Sequence, residues 1–308
     1  MKRCLVFLVA CAVLCVGLGG EAAAVWAEPL RVLVTVAPQR VIVERVAGER
    51  AQVVVLIPPG TSPHLFEPKP SLMAEVAHAD LYFSVGLEFE KVWLPKFRAA
   101  NPGLKVMAMD AGIDKLSMTA HEHPGETAEQ YGAGQHSGTE VHDPHVWLSP
   151  ELVKTMARTV RDALTQADAD GADLYATNCE AFVSCVSVLQ RDLQAQFADV
   201  ASRRFMVFHP SWGYFAREFK LIQMPVEAEG SEPGPRELAE LIAEAKEHGV
   251  RVVFVSPQFS RKAAAVIARE LGGGLMEADP LAEDWAGNLR RVAARMARVL
   301  RDETVERQ

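Results

Sequence analysis

Short β-branched apolar runs, each followed by a stretch of helical periodicity, leave this chain few architectures to choose from. "RVLVTVAP" (31–38) is brief, β-branched and closed by a proline, and reads as a buried strand ending there. "AQVVVLIPPG" (51–60) reads the same way, and "DLYFSVG" (80–86) and "LKVMAMD" (104–110) follow. Helical patterns separate them, as at Pro70 to Ala79 and Glu88 to Arg98. Such alternation predicts a mainly parallel sheet with helices on both faces. It returns near the C-terminus, with strands at "RFMVFHP" (204–210), "VRVVFVSP" (250–257) and "GGLMEADP" (273–280). Helices are expected there at Pro235 to His248, closed by Gly249, at Ser260 to Leu271 and at Leu281 to Arg301.

Two long helical stretches lie between the halves. Ser149 is placed to cap the first, with Pro150 at its first position and Glu151 in its first turn. The second, Gly171 to Val200, has no glycine or proline after its start, and would span roughly 40 Å. The expected class is therefore α/β: two similar lobes with mainly parallel sheets, joined by one long rigid helix. The expected division is a signal peptide at 1–27, an N-terminal lobe at 28–148, a helical region with the linking helix at 149–200 and a C-terminal lobe at 201–308.

The signal-peptide reading rests on Lys2 and Arg3, the almost wholly apolar Leu5 to Leu18, and "VWA" (25–27) before Glu28. The apolar run is shorter than the roughly 20 residues of a membrane span. "LVAC" (8–11) resembles a lipoprotein cleavage box but comes too early to leave an apolar region before it, which argues against a lipid anchor. Three of the five cysteines fall in this segment. Cys179 and Cys185 remain, turned about 240° from each other on a helix, which speaks against a disulfide and for two small core residues. A net charge of −8 excludes a nucleic-acid partner, which needs a basic surface.

The nine histidines are unevenly placed. His121, His123, His136 and His142 fall in 117–142, a segment rich in Gly, Glu and His without apolar periodicity, expected to be a mobile loop. His78 and His248 sit near helix C-termini, where an imidazolium suits the dipole. His64, His145 and His209 are left, each at the end of a predicted element. His64 follows the strand at 51–60, His145 stands in "VHDPHVWLSP" just before a helix, and His209 ends "RFMVF". Ligands of open α/β sheets bind outside the carboxyl ends of the strands. Asp279, in "EADPL" at the end of the last strand, is a fourth candidate. Two groups from each lobe would then meet in a cleft, and three imidazoles with one carboxylate suit tetrahedral Zn²⁺. Asp143 is expected to orient a loop or an imidazole N–H, and Trp147 to pack beside the site. Glu67 reads as a cap near the Pro70 helix or, as the alternative, a hydrogen-bond partner of a ligand, and "EAEGSEPGP" (227–235) as a cleft edge or a solvated loop.

"PGTSPHLFEPKPS", "DPHVWLSP", "FHPSWGYFA" and "EADPL", in this order and at this spacing, resemble the substrate-binding proteins of zinc and manganese ABC importers, the ZnuA/TroA-like or cluster A-I family. The resemblance covers essentially the whole chain after residue 27. It implies two α/β lobes joined by a rigid helix with the metal between them, and His64, His145, His209 and Asp279 as ligands. Manganese-specific members carry a glutamate at the third position, whereas this chain has His209, as zinc members do. Zinc members often carry a His- and acid-rich loop before the second ligand, which residues 121–142 match in place, so the resemblance makes His121, His123, His136 and His142 candidate accessory metal ligands. The implied protein is a periplasmic, monomeric zinc carrier that delivers its cargo to a membrane permease and performs no chemistry. Manganese or iron uptake is the first alternative. A secreted zinc hydrolase is the second, although neither H-E-x-x-H nor G-x-S-x-G is present.

Overall fold

The computed structural model describes residues 28–63, 66–118, 142–227, 233–259 and 261–301. The segment 1–27, His64, and the loop histidines His121, His123 and His136 lie outside the described residues. The N-terminal half runs β1 (Leu30–Val34), α1 (Ala37–Ala47), β2 (Ala51–Val55), α2 (Pro70–Ala77), β3 (Leu81–Ser84), α3 (Glu88–Ala100) and β4 (Lys105–Ala108). Its four strands are all parallel, in the order β2-β1-β3-β4. Then come α4 (Pro150–Ala167) and α5 (Ala172–Gln196). The C-terminal half runs β5 (Arg204–Val207), α6 (Gly213–Glu218), β6 (Ile222–Pro225), α7 (Pro235–Glu247), β7 (Val252–Val255), α8 (Arg261–Glu270), β8 (Gly274–Glu277) and α9 (Trp285–Leu300). It repeats the first topology, with parallel strands in the order β6-β5-β7-β8. The expected pair of α/β lobes is present.

Several elements differ from the sequence reading for identifiable reasons. Pro38 does not end a strand. It sits in the first turn of α1, where its missing N–H costs nothing and its fixed φ suits a helix. The expected strand 31–38 therefore divides into β1 and the start of α1. Gln39 secures the junction: its Oε1 accepts from the backbone N–H groups of Thr35 and Val36 at 2.9 and 3.0 Å. The short β6 and α6 were not anticipated. β6 is an edge strand, where its terminal Pro225 is tolerated. The last helix starts at Trp285 rather than Leu281, because Asp284 caps it by accepting from Gly287 N. Glu67 is exposed and does not cap α2, whose N-terminus carries no side-chain cap bond. His78 and His248 take the C-cap positions of α2 and α7.

The predicted capping of α4 holds, since Ser149 Oγ accepts from Leu152 N at 3.2 Å. α5 has 25 residues, a length of about 37 Å. It stops at Gln196 because α9 takes over the backbone beyond it: Ala201 N and Ser202 N both donate to Leu300 O at 3.0 Å. α5 packs on its neighbour α4, on α1 of the first half and on α9 of the second. Its buried stripe is Tyr175, Cys179, Phe182, Val183, Val186, Leu189 and Leu193. Cys185 lies off that stripe and is exposed, so only Cys179 is a core residue; both thiols are free. Among the described residues no helix is long and apolar enough to cross a membrane.

One hydrophobic core runs through both lobes, from Val32, Tyr82 and Val153 to Trp212, Phe215 and Trp285. A smaller cluster, including Met206, Val253 and Ile267, fills the other face of the second sheet. Hydrogen bonds also cross between the halves. Trp147 Nε1 donates to Pro280 O and Trp285 Nε1 to Trp147 O, both at 2.7 Å. Tyr214 Oη donates to Asp143 O at 2.8 Å. The shared core and these two tryptophan bonds join the halves.

Candidate metal centre

In each lobe the chain leaves the first strand for one neighbour and then crosses to the other side, creating a switch point between β1 and β3 and another between β5 and β7. Ligands bind outside the strand ends at such points. His209 occupies one of them, two residues beyond β5. The strand ladders continue past their formal ends to hold it. Phe208 N donates to Phe254 O at 2.8 Å, and Glu227 N donates to Phe208 O at 2.9 Å. This pairing brings Glu227 beside His209, and Glu227 Oε2 accepts from His209 Nδ1 at 2.8 Å. Both side chains are buried. Burial is the main reason that the His209 imidazole titrates below its ordinary value, so it stays neutral at pH 7; the Glu227 hydrogen bond works against that shift.

His145 is built in the same way from the other lobe. It precedes a single 3₁₀ turn, Val146–Leu148, that leads into α4. Asp143 Oδ1 accepts from the His145 backbone N–H at 2.8 Å and from Nδ1 at 2.7 Å. Asp143 is itself buried and tied by its backbone to Leu116 O and Tyr214 Oη. Gly213 at the start of α6 leaves it room, because a Cβ there would stand 2.9 Å from Asp143 Oδ2. A carboxylate on Nδ1 fixes the tautomer and leaves Nε2 as the nitrogen able to bind a metal.

The two imidazoles meet across the lobes with ring centroids 5.6 Å apart. Phe259 stacks on His209 at 4.5 Å, and Trp147 meets His145 edge-on at 5.3 Å. Both histidines line a cavity of about 20 Å³, together with Pro63, Gln258, Phe259 and Leu281. That volume is enough for one water-sized occupant. Pro63, the residue before His64, thus brings its loop to the cavity wall. Asp279 is half-buried and is not itself part of the cavity wall, but the next two residues, Pro280 and Leu281, line it. Its Oδ1 accepts from Gln258 Nε2 and from Leu281 N, each at 2.9 Å. Among the described residues no three His, Cys, Asp or Glu side chains are grouped closely enough to hold an ion. His142 is exposed, pairs with Ser117 across an isolated bridge, and is not part of the cavity wall.

Gln258 and Phe259 are site residues that the sequence reading does not single out; Glu227 falls in the segment read as a cleft edge or a solvated loop, and its pairing with His209 places it at the cleft. Glu227 is 18 residues from its histidine, and no local spacing links them. The one signal in the sequence is a carboxylate directly after an apolar run, a pattern that a solvated loop shares.

The chain matches the family described as "Zinc-uptake complex component A periplasmic" (ZnuA) over residues 32–299. It belongs to the ZnuA family. It is accordingly a substrate-binding protein of a metal-uptake system and not an enzyme, and the hydrolase alternative falls. The high-affinity zinc uptake system protein ZnuA of Bacillus subtilis (strain 168) is 28% identical over 249 residues, 80% of this chain and 76% of that protein. A deletion mutant of ZnuA solved with zinc bound is 38% identical, with a TM-score of 0.80 over 89% of this chain and 98% of its own. The substrate-binding protein FpvC from Pseudomonas aeruginosa, solved with Mn²⁺, is 25% identical, with a TM-score of 0.75 over 90% of this chain and 100% of its own.

Proposed function

We propose that this protein captures Zn²⁺ outside the cytoplasm as a monomer and delivers it to the membrane permease of an ATP-driven importer. The ligands are His64, His145, His209 and Asp279, two from each lobe. The observation that carries this reading is the pair His145 and His209. Each imidazole comes from a different lobe and is bound through Nδ1 to its own buried carboxylate, and the two rings converge on a cavity with room for one ion. Nitrogen-rich sites favour zinc over manganese, which prefers oxygen donors. The zinc-uptake role of the Bacillus subtilis relative and the zinc held by the solved deletion mutant support that cargo. The Mn²⁺ complex of FpvC makes manganese the competitor to test against.

Residues 1–27 act as a cleaved export signal, and the lobes divide at 28–148 and 201–308 around the helical region 149–200. The His-bearing loop, with His121, His123, His136 and His142, raises the rate of capture without supplying the primary site. Because Trp147, Pro280 and Trp285 tie the lobes together at the site, release proceeds by displacement of ligand-bearing loops by the permease rather than by wide opening of the lobes. Zinc titration against a chelator tests the assignment. His145→Ala and His209→Ala should each lose tight binding, and retention of wild-type affinity in either would refute it.

A further inference from the structure

We infer that Gln258 is a positioning residue that restricts Asp279 to one donor oxygen and so biases the site toward four-coordinate metal; this rests on Asp279 serving as a ligand. Gln258 lies in the turn after β7, and Asp279 lies just beyond β8, the parallel neighbour of β7. Their ladder continues past the strands, with Ala278 N donating to Val255 O at 3.0 Å, so the two residues emerge side by side. Gln258 Nε2 and Leu281 N both donate to Asp279 Oδ1 at 2.9 Å. One carboxylate oxygen is thus committed to two N–H groups, and Oδ2 remains to meet a metal.

The main chain around Asp279 is held as firmly. Its carbonyl accepts from Asn288 Nδ2, and that of Pro280 from Trp147 Nε1, both at 2.7 Å. The carboxylate therefore cannot easily swing to chelate through both oxygens. Gln258 lines the same cavity as His145 and His209, and its Oε1 is enclosed with no hydrogen-bond partner among the described residues. Phe259, the next residue, stacks on His209, so a single turn supports candidate ligands from two strands.

The consequence is selectivity. Three imidazoles and one carboxylate oxygen complete a tetrahedral zinc site. Manganese seeks a larger, oxygen-rich shell. A chelating carboxylate would supply one further oxygen, and a cavity of about 20 Å³ has little space for waters to make up the rest. The amide of Gln258 denies the extra oxygen.

Gln258→Met keeps the length of the side chain and removes its N–H, and Gln258→Ala is a second variant. Each is loaded with Co²⁺ alone for its visible spectrum and titrated with Zn²⁺ and Mn²⁺ in competition. Wild-type protein should show the intense bands of tetrahedral cobalt. Both variants should lose band intensity and gain about tenfold in Mn²⁺ affinity relative to Zn²⁺. Wild-type bands and an unchanged metal ratio in both variants would overturn the inference. Asp279→Asn separates the two levels. If it alters bands and affinity while the Gln258 variants do not, Asp279 stands as a ligand and only the role of Gln258 is wrong. If it alters neither, the ligand assignment itself is wrong.

Discussion

Glu227→Gln isolates the contribution of a carboxylate that never touches the metal. The replacement keeps shape and an acceptor oxygen but removes the charge that faces His209 Nδ1 at 2.8 Å. The side chains of the pair are 4% and 8% exposed, so solvent screens the interaction little. A hydrogen bond to a charged group is worth about 1.5–3 kcal/mol against about 0.5–1.5 for a neutral one. The difference of about 1–1.5 kcal/mol is roughly tenfold in a dissociation constant. Removing such outer partners from metal-bound histidines costs about 10–100-fold, so zinc affinity should fall by at least tenfold. The assay is chelator competition at pH 7.5, with thermal unfolding of the metal-free protein as a folding control. A zinc affinity within twofold of wild type, in a folded Glu227→Gln protein, would show that the carboxylate does not tune His209.

Other perturbations follow from the same geometry. Trp147→Phe removes the bond to Pro280 O and leaves a buried carbonyl unsatisfied, at a cost of about 1–3 kcal/mol; urea unfolding unchanged from wild type would show that this bond does not hold the halves together. In protein beginning at residue 28, a thiol reagent should label exposed Cys185 in the native state and buried Cys179 only on unfolding; two rapidly labelled thiols would contradict the packing of α5. Because burial holds His209 below its ordinary value near 6.5, the unfolded chain binds a proton there that the native state does not. The stability conferred by this neutral histidine is thus complete above about pH 6.5 and is lost as pH falls toward the folded value. His209→Gln should flatten that part of the metal-free protein's pH–stability curve, and an unaltered slope would count against it.

What was legible in the sequence was whatever depends on neighbours along the chain. Runs such as "RFMVF" mark a strand buried on both faces, and the residue that ends it, His209, falls by construction at the edge where ligands bind. The pairing of Asp143 with His145 was readable because only Pro144 stands between them. The carboxylate of His209 was not, because β6 brings it from 18 residues away, and β6 is a four-residue edge strand whose proline argues locally against a strand. Gln258 and Phe259 stand in "SPQFS", which reads as an ordinary turn; only the β7–β8 register shows what they touch. Pro38 misled because one residue type closes strands and opens helices alike. Cys185 misled because its residue type suggests a core position, whereas the turn of about 240° from Cys179 carries it off the one buried stripe of α5.

The most direct test of the central claim is zinc-edge X-ray absorption on protein lacking residues 121–140, loaded with one equivalent of Zn²⁺. The zinc should be retained tightly, with three imidazole nitrogens and one carboxylate oxygen at about 2.0–2.2 Å. Loss of tight binding on removal of the loop, or a first shell with fewer than three imidazoles, would contradict a cleft site built from His64, His145, His209 and Asp279.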